Sequence, residues 1–147
     1  MDRGTAVVLT ALAGGLIALQ APINGRVGEA AGSVQGALAT FVIGGVALMV
    51  VAALAKGGLG QVAEARHVSW VYLTGGILGA VYVTTALITV RSLGAGGVTA
   101  ATFAGQLSLS LVVDQFGWLG VTRSPITVTK LAGVALLTAG VYLIVRD

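Results

Sequence analysis

Five apolar runs, none with a charge in its middle, divide this chain: residues 5–23, 33–55, 69–90, 94–113 and 128–145. A helix rises 1.5 Å per residue, so crossing a hydrocarbon layer of ~30 Å takes about 20 mostly apolar residues. Each run approaches or exceeds that length. Charged residues are 9% of the 147, against about 25% in a soluble domain, too few to build a water-facing surface. The runs therefore predict an all-α integral membrane protein with five transmembrane helices, a single transmembrane domain over residues 1–147 that leaves no length for a soluble one.

The same numbers narrow the function. A mean hydropathy of +1.00 excludes a soluble enzyme, a nucleic-acid binder and a disordered tail. The net charge of +3 comes from eight Lys and Arg scattered singly, without the patch that nucleic acid requires. With no cysteine there is no disulfide framework, thiol nucleophile or zinc thiolate site. The run after Met1-Asp2-Arg3 is too long for a signal-peptide core, and Leu19-Gln20 spoils a small-residue cleavage site, so it reads as a retained first span.

An odd number of spans puts the termini on opposite faces. One face then carries Arg3, Lys56, Arg66, Arg123 and Lys130, the other Arg26, Arg91 and Arg146. Five against three sets N-in, C-out weakly under the positive-inside rule. A chain that inserts both ways can pair antiparallel with itself, giving ten spans related by a two-fold axis in the membrane plane, the symmetry of inverted-repeat transporters. A single orientation set by weak charges is the alternative.

Glycine supplies 23 of the 147 residues, and small residues at membrane interfaces let backbones approach closely. Gly75 and Gly79, and the stripe Gly36, Thr40, Gly44, are assigned to packing. Gly133 and Gly140, seven apart in a nearly unbroken apolar span, suit packing against a partner subunit.

Polar side chains within the spans need a partner or water. Gln20 and Asn24 share a helix face, and Pro22 between them has no N–H for the Ala18 carbonyl. They read either as a hydrogen-bonding site at a cavity mouth or as a helix end capped by Asn24-Gly25, the start of a polar turn reaching Glu29. Thr102, Gln106, Ser110 and Asp114 recur every four residues and form one stripe, expected to face protein or a water-filled path. Asp114 at its end is a coupling candidate or a solvated carboxylate paired with Arg123. Tyr82 and Thr85 are candidates for a cavity wall.

No catalytic constellation emerges. His67, near Arg66 and Trp70 in the loop 56–68, reads as an interfacial anchor. There is no His/Asp/Glu cluster for a metal, and Ser108 and Ser110 lack a base other than Asp114. The glycine groups at 57–60 and 94–97 follow no strand and are not phosphate loops. No cofactor is expected.

The stretches Gln20-Ala21-Pro22-Ile23-Asn24-Gly25-Arg26-Val27-Gly28 and Gly105-Gln106-Leu107-Ser108-Leu109, the latter continuing to Asp114-Gln115-Phe116-Gly117, resemble the YdcZ-like branch of the drug/metabolite transporter superfamily, and five spans in this length match it along the whole chain. The resemblance implies a multi-pass protein of the bacterial inner membrane and a dual-topology dimer equivalent to the fused ten-span members. It implies no substrate. The small multidrug exporters of the superfamily use a membrane-embedded glutamate in the first span, where this chain offers Gln20 and Asn24.

Together these features predict a secondary transporter half, its cavity between two subunits and lined by Gln20, Asn24, Tyr82, Thr85, Thr102, Gln106 and Ser110. Neutral amides and hydroxyls suit a small polar or amphipathic solute. A passive channel and a non-transporting assembly subunit are the rival readings.

Overall fold

The computed structural model describes residues 2–56 and 58–146. Gly57, first of the 57–60 glycine group, lies outside the described residues, as do Met1 and Asp147. The elements are helical throughout the described residues: α1 (Arg3–Ala31), α2 (Ser33–Leu54), a 3₁₀ stretch (Gly58–His67), α3 (Trp70–Leu73), α4 (Gly75–Phe116), a 3₁₀ turn (Trp118–Gly120) and α5 (Val128–Val145). Among these residues four helical segments are long and apolar enough to cross a membrane: Arg3–Ala31, Ser33–Leu54, Trp70–Phe116 and Val128–Val145. Large apolar side chains point outward along them, with Leu38 65% and Leu136 75% exposed. Such surfaces match lipid as solvent.

Two helix ends differ from the sequence expectation. The expected polar turn Asn24–Glu29 is helix, and α1 continues through it to Ala31. Ala21, Asn24, Gly25 and Gly28 are its buried face, and Arg26 pairs with Glu29 at 3.2 Å one turn on, so packing and a local ion pair outweigh the turn propensity of Asn-Gly. Asn24-Gly25 is therefore not a cap. Gly32 ends the helix instead, with φ +94°, and it alone separates α1 from α2. A Cβ at Gly32 would lie 2.5 Å from Gln35 Oε1.

The second difference concerns residues 91–93, expected to separate the third and fourth spans. Arg91, Ser92 and Leu93 are helical, and the break falls at Gly94, where φ is 66° and ψ 173°. Nothing in Arg-Ser-Leu opposes a helix, whereas that backbone conformation belongs essentially to glycine.

The chain forms two compact units. One comprises Ala21–Ile88. Here Gly36 sits against the backbone of Gly28: a Cβ at Gly36 would lie 3.0 Å from both Gly28 N and Cα. Ala37, Val83 and Leu87 form the core beside them, with Tyr82 packed against it. Gly79 faces the Phe41 ring, which would lie 3.3 Å from an added Cβ. The expected packing role therefore holds at Gly36 and Gly79, while Gly44 and Gly75 face open space. The stretch Gly58–His67 packs against α2.

The other unit comprises the chain up to Gln20 and from Thr89 onward. In it the segment between α4 and α5 is tied back to the end of α4. Ser124 N donates to Asp114 O at 2.9 Å, and Ile126 N to Gln115 Oε1 at 2.6 Å. Thr127 Oγ1 caps α5 by accepting Lys130 N at 3.3 Å. Lys130 Nζ reaches Ser124 Oγ at 2.7 Å and the carbonyls of Pro125 and Ser124 at 3.0 and 3.2 Å. Three oxygens so placed offset the unfavourable position of a cation in a first helical turn.

Candidate functional site: a groove along the first helix

Within the unit that contains both chain ends, one face of α1 and the part of α4 beyond Gly94 enclose a groove of about 850 Å³. Arg3, Ala6, Thr10, Gly14 and Ile17 line it from α1, at steps of three and four that keep a helix on one face. Thr99, Phe103 and Gln106 line it from α4 at the same steps. Small side chains keep it open. A Cβ at Gly14 would come within 3.9 Å of Phe103 Cζ, so anything larger there enters the groove.

The polar groups of the groove differ in what they have left to offer. Thr10 Oγ1 donates to Ala6 O at 2.8 Å, leaving lone pairs but no proton. The Gln106 amide is exposed and forms no hydrogen bond among the described residues. It keeps both donors and its acceptor. Arg3 stands at one end of the α1 wall.

Gln106 is the one sequence-expected site residue that lines this groove. In the same unit Gln20 is exposed, Thr102 and Asp114 are half-buried and Ser110 is exposed, all outside the lining. Ser110 Oγ donates to Leu107 O at 3.0 Å and Ser108 Oγ to Ala104 O at 2.8 Å. A hydroxyl satisfied by its own helix no longer demands a polar neighbour, and Ser110 keeps only its acceptor lone pairs for one. The expected pairing of Arg123 with Asp114 is also replaced: Arg123 Nε donates to the Gln115 carbonyl at 2.9 Å.

Asn24, Tyr82 and Thr85 lie in the other unit, whereas Gly133 and Gly140 share the unit of Gln106. Thr85 Oγ1 donates to Val81 O at 2.8 Å, and Tyr82 is half-buried against the Ala37–Val83–Leu87 core. Asn24 is 7% exposed, and its Nδ2 has no hydrogen-bond partner among the described residues. Gly133 and Gly140 face open space.

Sequence reasoning missed Arg3, Thr10, Thr99 and Phe103. Arg3 and Thr10, seven apart and so on one helix face, were a legible signal on α1. Attention to polar stripes alone passed over it, because most of this wall is alanine and glycine.

The family model described as "Putative inner membrane exporter, YdcZ" matches residues 5–143. The chain belongs to the YdcZ family. Neither a curated protein nor a solved structure matches it. As a YdcZ protein it is a multi-pass protein of the inner membrane. The YdcZ-like stretches have identifiable structural work in this chain: Asn24, Gly25 and Gly28 form the buried face of α1, and Asp114 and Gln115 anchor the segment leading to α5.

Proposed function

We propose that this YdcZ protein is a secondary transporter, an exporter of a small polar or amphipathic solute, working as an antiparallel homodimer with a cavity between subunits. The observation that supports it most is the uncommitted Gln106 amide in a mostly apolar groove, since binding sites for small molecules pair apolar walls with a few placed polar groups. Five crossings follow if the 47-residue segment Trp70–Phe116 turns at Gly94. Unbroken, it would span about 70 Å at 1.5 Å per residue, more than twice the hydrocarbon thickness.

In this reading Gln106 contacts solute, and Gln20, Asn24, Tyr82, Thr85, Thr102 and Ser110 complete the binding surface across the dimer. Asp114 is the proton-coupling candidate, and Gly133 and Gly140 lie at the subunit contact. The weak five-to-three charge tally supports insertion in both orientations.

Counterflow in proteoliposomes tests the proposal. Purified protein is loaded with each member of a solute panel, with and without a pH gradient. Saturable counterflow supports a transporter. Non-saturable flux makes the protein a passive channel, and no flux from the purified chain makes it an assembly subunit.

A further inference from the structure

The groove differs from a site for neutral polar solutes in one respect: the charge at its end. Among the described residues Arg3 is the only charged side chain in its lining, and it forms no ion pair with any of them. The neighbouring carboxylate is occupied elsewhere. Asp2 accepts from Thr5 N at 2.9 Å and Thr5 Oγ1 at 2.6 Å, and these bonds hold its carboxyl below the ordinary carboxylate range. Asp2 therefore serves as the cap of α1, which leaves the guanidinium available.

From Arg3 the α1 wall runs to Ala18, fifteen residues or about 22 Å of helix. Along it the lining is Ala, Gly, Val and Ile apart from Thr10, whose hydroxyl proton is given to its own helix. A long apolar channel with a cation at one end matches a ligand with an apolar chain and an anionic head. Its volume of about 850 Å³ lies in the ~300–1,000 Å³ range of small-molecule sites.

Resting on the transporter reading above, we infer that the solute of this groove is a free, single-chain amphipathic anion. Its sulfonate, phosphate or carboxylate head sits on Arg3, which offers a planar fork of donors. Its chain lies along Ala6, Gly14 and Phe103. The Gln106 amide receives a polar substituent further along the chain.

The test measures equilibrium binding of radiolabelled dodecanesulfonate, ionised throughout the working pH range, to the full chain in phosphatidylcholine nanodiscs. Both membrane faces are accessible there, so insertion orientation does not affect the result. Expected are saturable binding, at least tenfold weaker binding in Arg3→Gln, and a smaller loss in Arg3→Lys, which keeps the charge and gives up the fork. Gly14→Leu, which fills the channel beside Phe103, should abolish binding. Dodecanol and dodecyltrimethylammonium should compete at least tenfold less well than unlabelled sulfonate. Arg3 is exposed, so Arg3→Gln keeps the test decisive even where Gly14→Leu fails to fold.

Equal competition by all three head groups, or unchanged affinity in Arg3→Gln, overturns the inference. Displacement by phosphatidylglycerol placed in the discs also overturns it, because the occupant would then be a bilayer lipid. Saturable counterflow of an uncharged solute without sulfonate binding overturns the anion site and leaves the transport reading standing. Sulfonate binding that depends on Arg3, with no flux of any solute, supports the anion site and removes the transport reading.

Discussion

Arg123 donates through Nε to the carbonyl oxygen of Gln115, 2.9 Å away, while the side-chain oxygen of the same Gln115 accepts the amide of Ile126 at 2.6 Å. Gln115 thus holds the extended segment at two points, one through its backbone and one through its side chain. The segment lacks helical hydrogen bonds of its own, so its shape depends on these contacts with the end of α4.

Gln115→Leu removes the acceptor and leaves the part-buried Ile126 N–H unpaired. A loss of about 1–3 kcal/mol is expected for a buried group left unsatisfied. Amide exchange at Ile126 should accelerate relative to amides within α5, measured by hydrogen exchange with mass spectrometry in nanodiscs. Unchanged protection at Ile126 would show that the segment is held by other contacts.

Gly36→Ala and Gly44→Ala should act in opposite directions. The first puts a methyl group 3.0 Å from the Gly28 backbone and from Leu87 Cδ2, and overpacking of this kind costs typically ~1–3 kcal/mol. Gly44 faces open space, so alanine there should stabilise α2 by roughly 0.5–1 kcal/mol through backbone entropy. Unfolding in mixed micelles, followed by circular dichroism, measures both.

Gly94→Ala tests backbone conformation alone, because no atom lies within 4 Å of the added methyl. At φ 66° and ψ 173° a non-glycine residue carries strain of about 1–3 kcal/mol. The variant should lose stability by that amount in the same unfolding measurement. Equal stability would mean that the chain relaxes the break at little cost.

Gln106→Leu should leave stability nearly unchanged, since the amide gives up no hydrogen bond among the described residues. Transport in the counterflow assay should fall at least tenfold if the amide meets solute. Asp114→Asn should abolish dependence on the pH gradient if this carboxylate carries the proton. A stable Gln106→Leu variant with full transport places the solute elsewhere.

A reporter on the C-terminus should be found on both sides of the inner membrane, and two lysines added beside Arg146 should drive it to the cytoplasm. Gly133→Leu and Gly140→Leu should lower the dimer fraction in bilayers by blocking close helix approach. A wild-type reporter seen only in the periplasm excludes the antiparallel pairing.

The sequence by itself determined the solvent and the helical class. Hydrocarbon thickness is one length, and apolar runs such as 33–55 and 128–145 can be measured against it without knowing any neighbour; α2 and α5 begin and end within a residue of them. The break after the third run was anticipated within three residues of Gly94. Its position on glycine and the helical state of Asn24–Glu29 depended on local conformation and packing: a positive φ selects Gly94, and burial of Asn24, Gly25 and Gly28 carries α1 past its expected end. The groove is wholly tertiary. Periodicity places Arg3 and Thr10 on one face and Thr99, Phe103 and Gln106 on another, but only the packing of α1 beside α4 brings those faces together around a shared space. The hydroxyls of the polar stripe depend on structure in the same way, because a side chain such as Ser110 can satisfy itself on the preceding turn, and its sequence spacing does not reveal that choice.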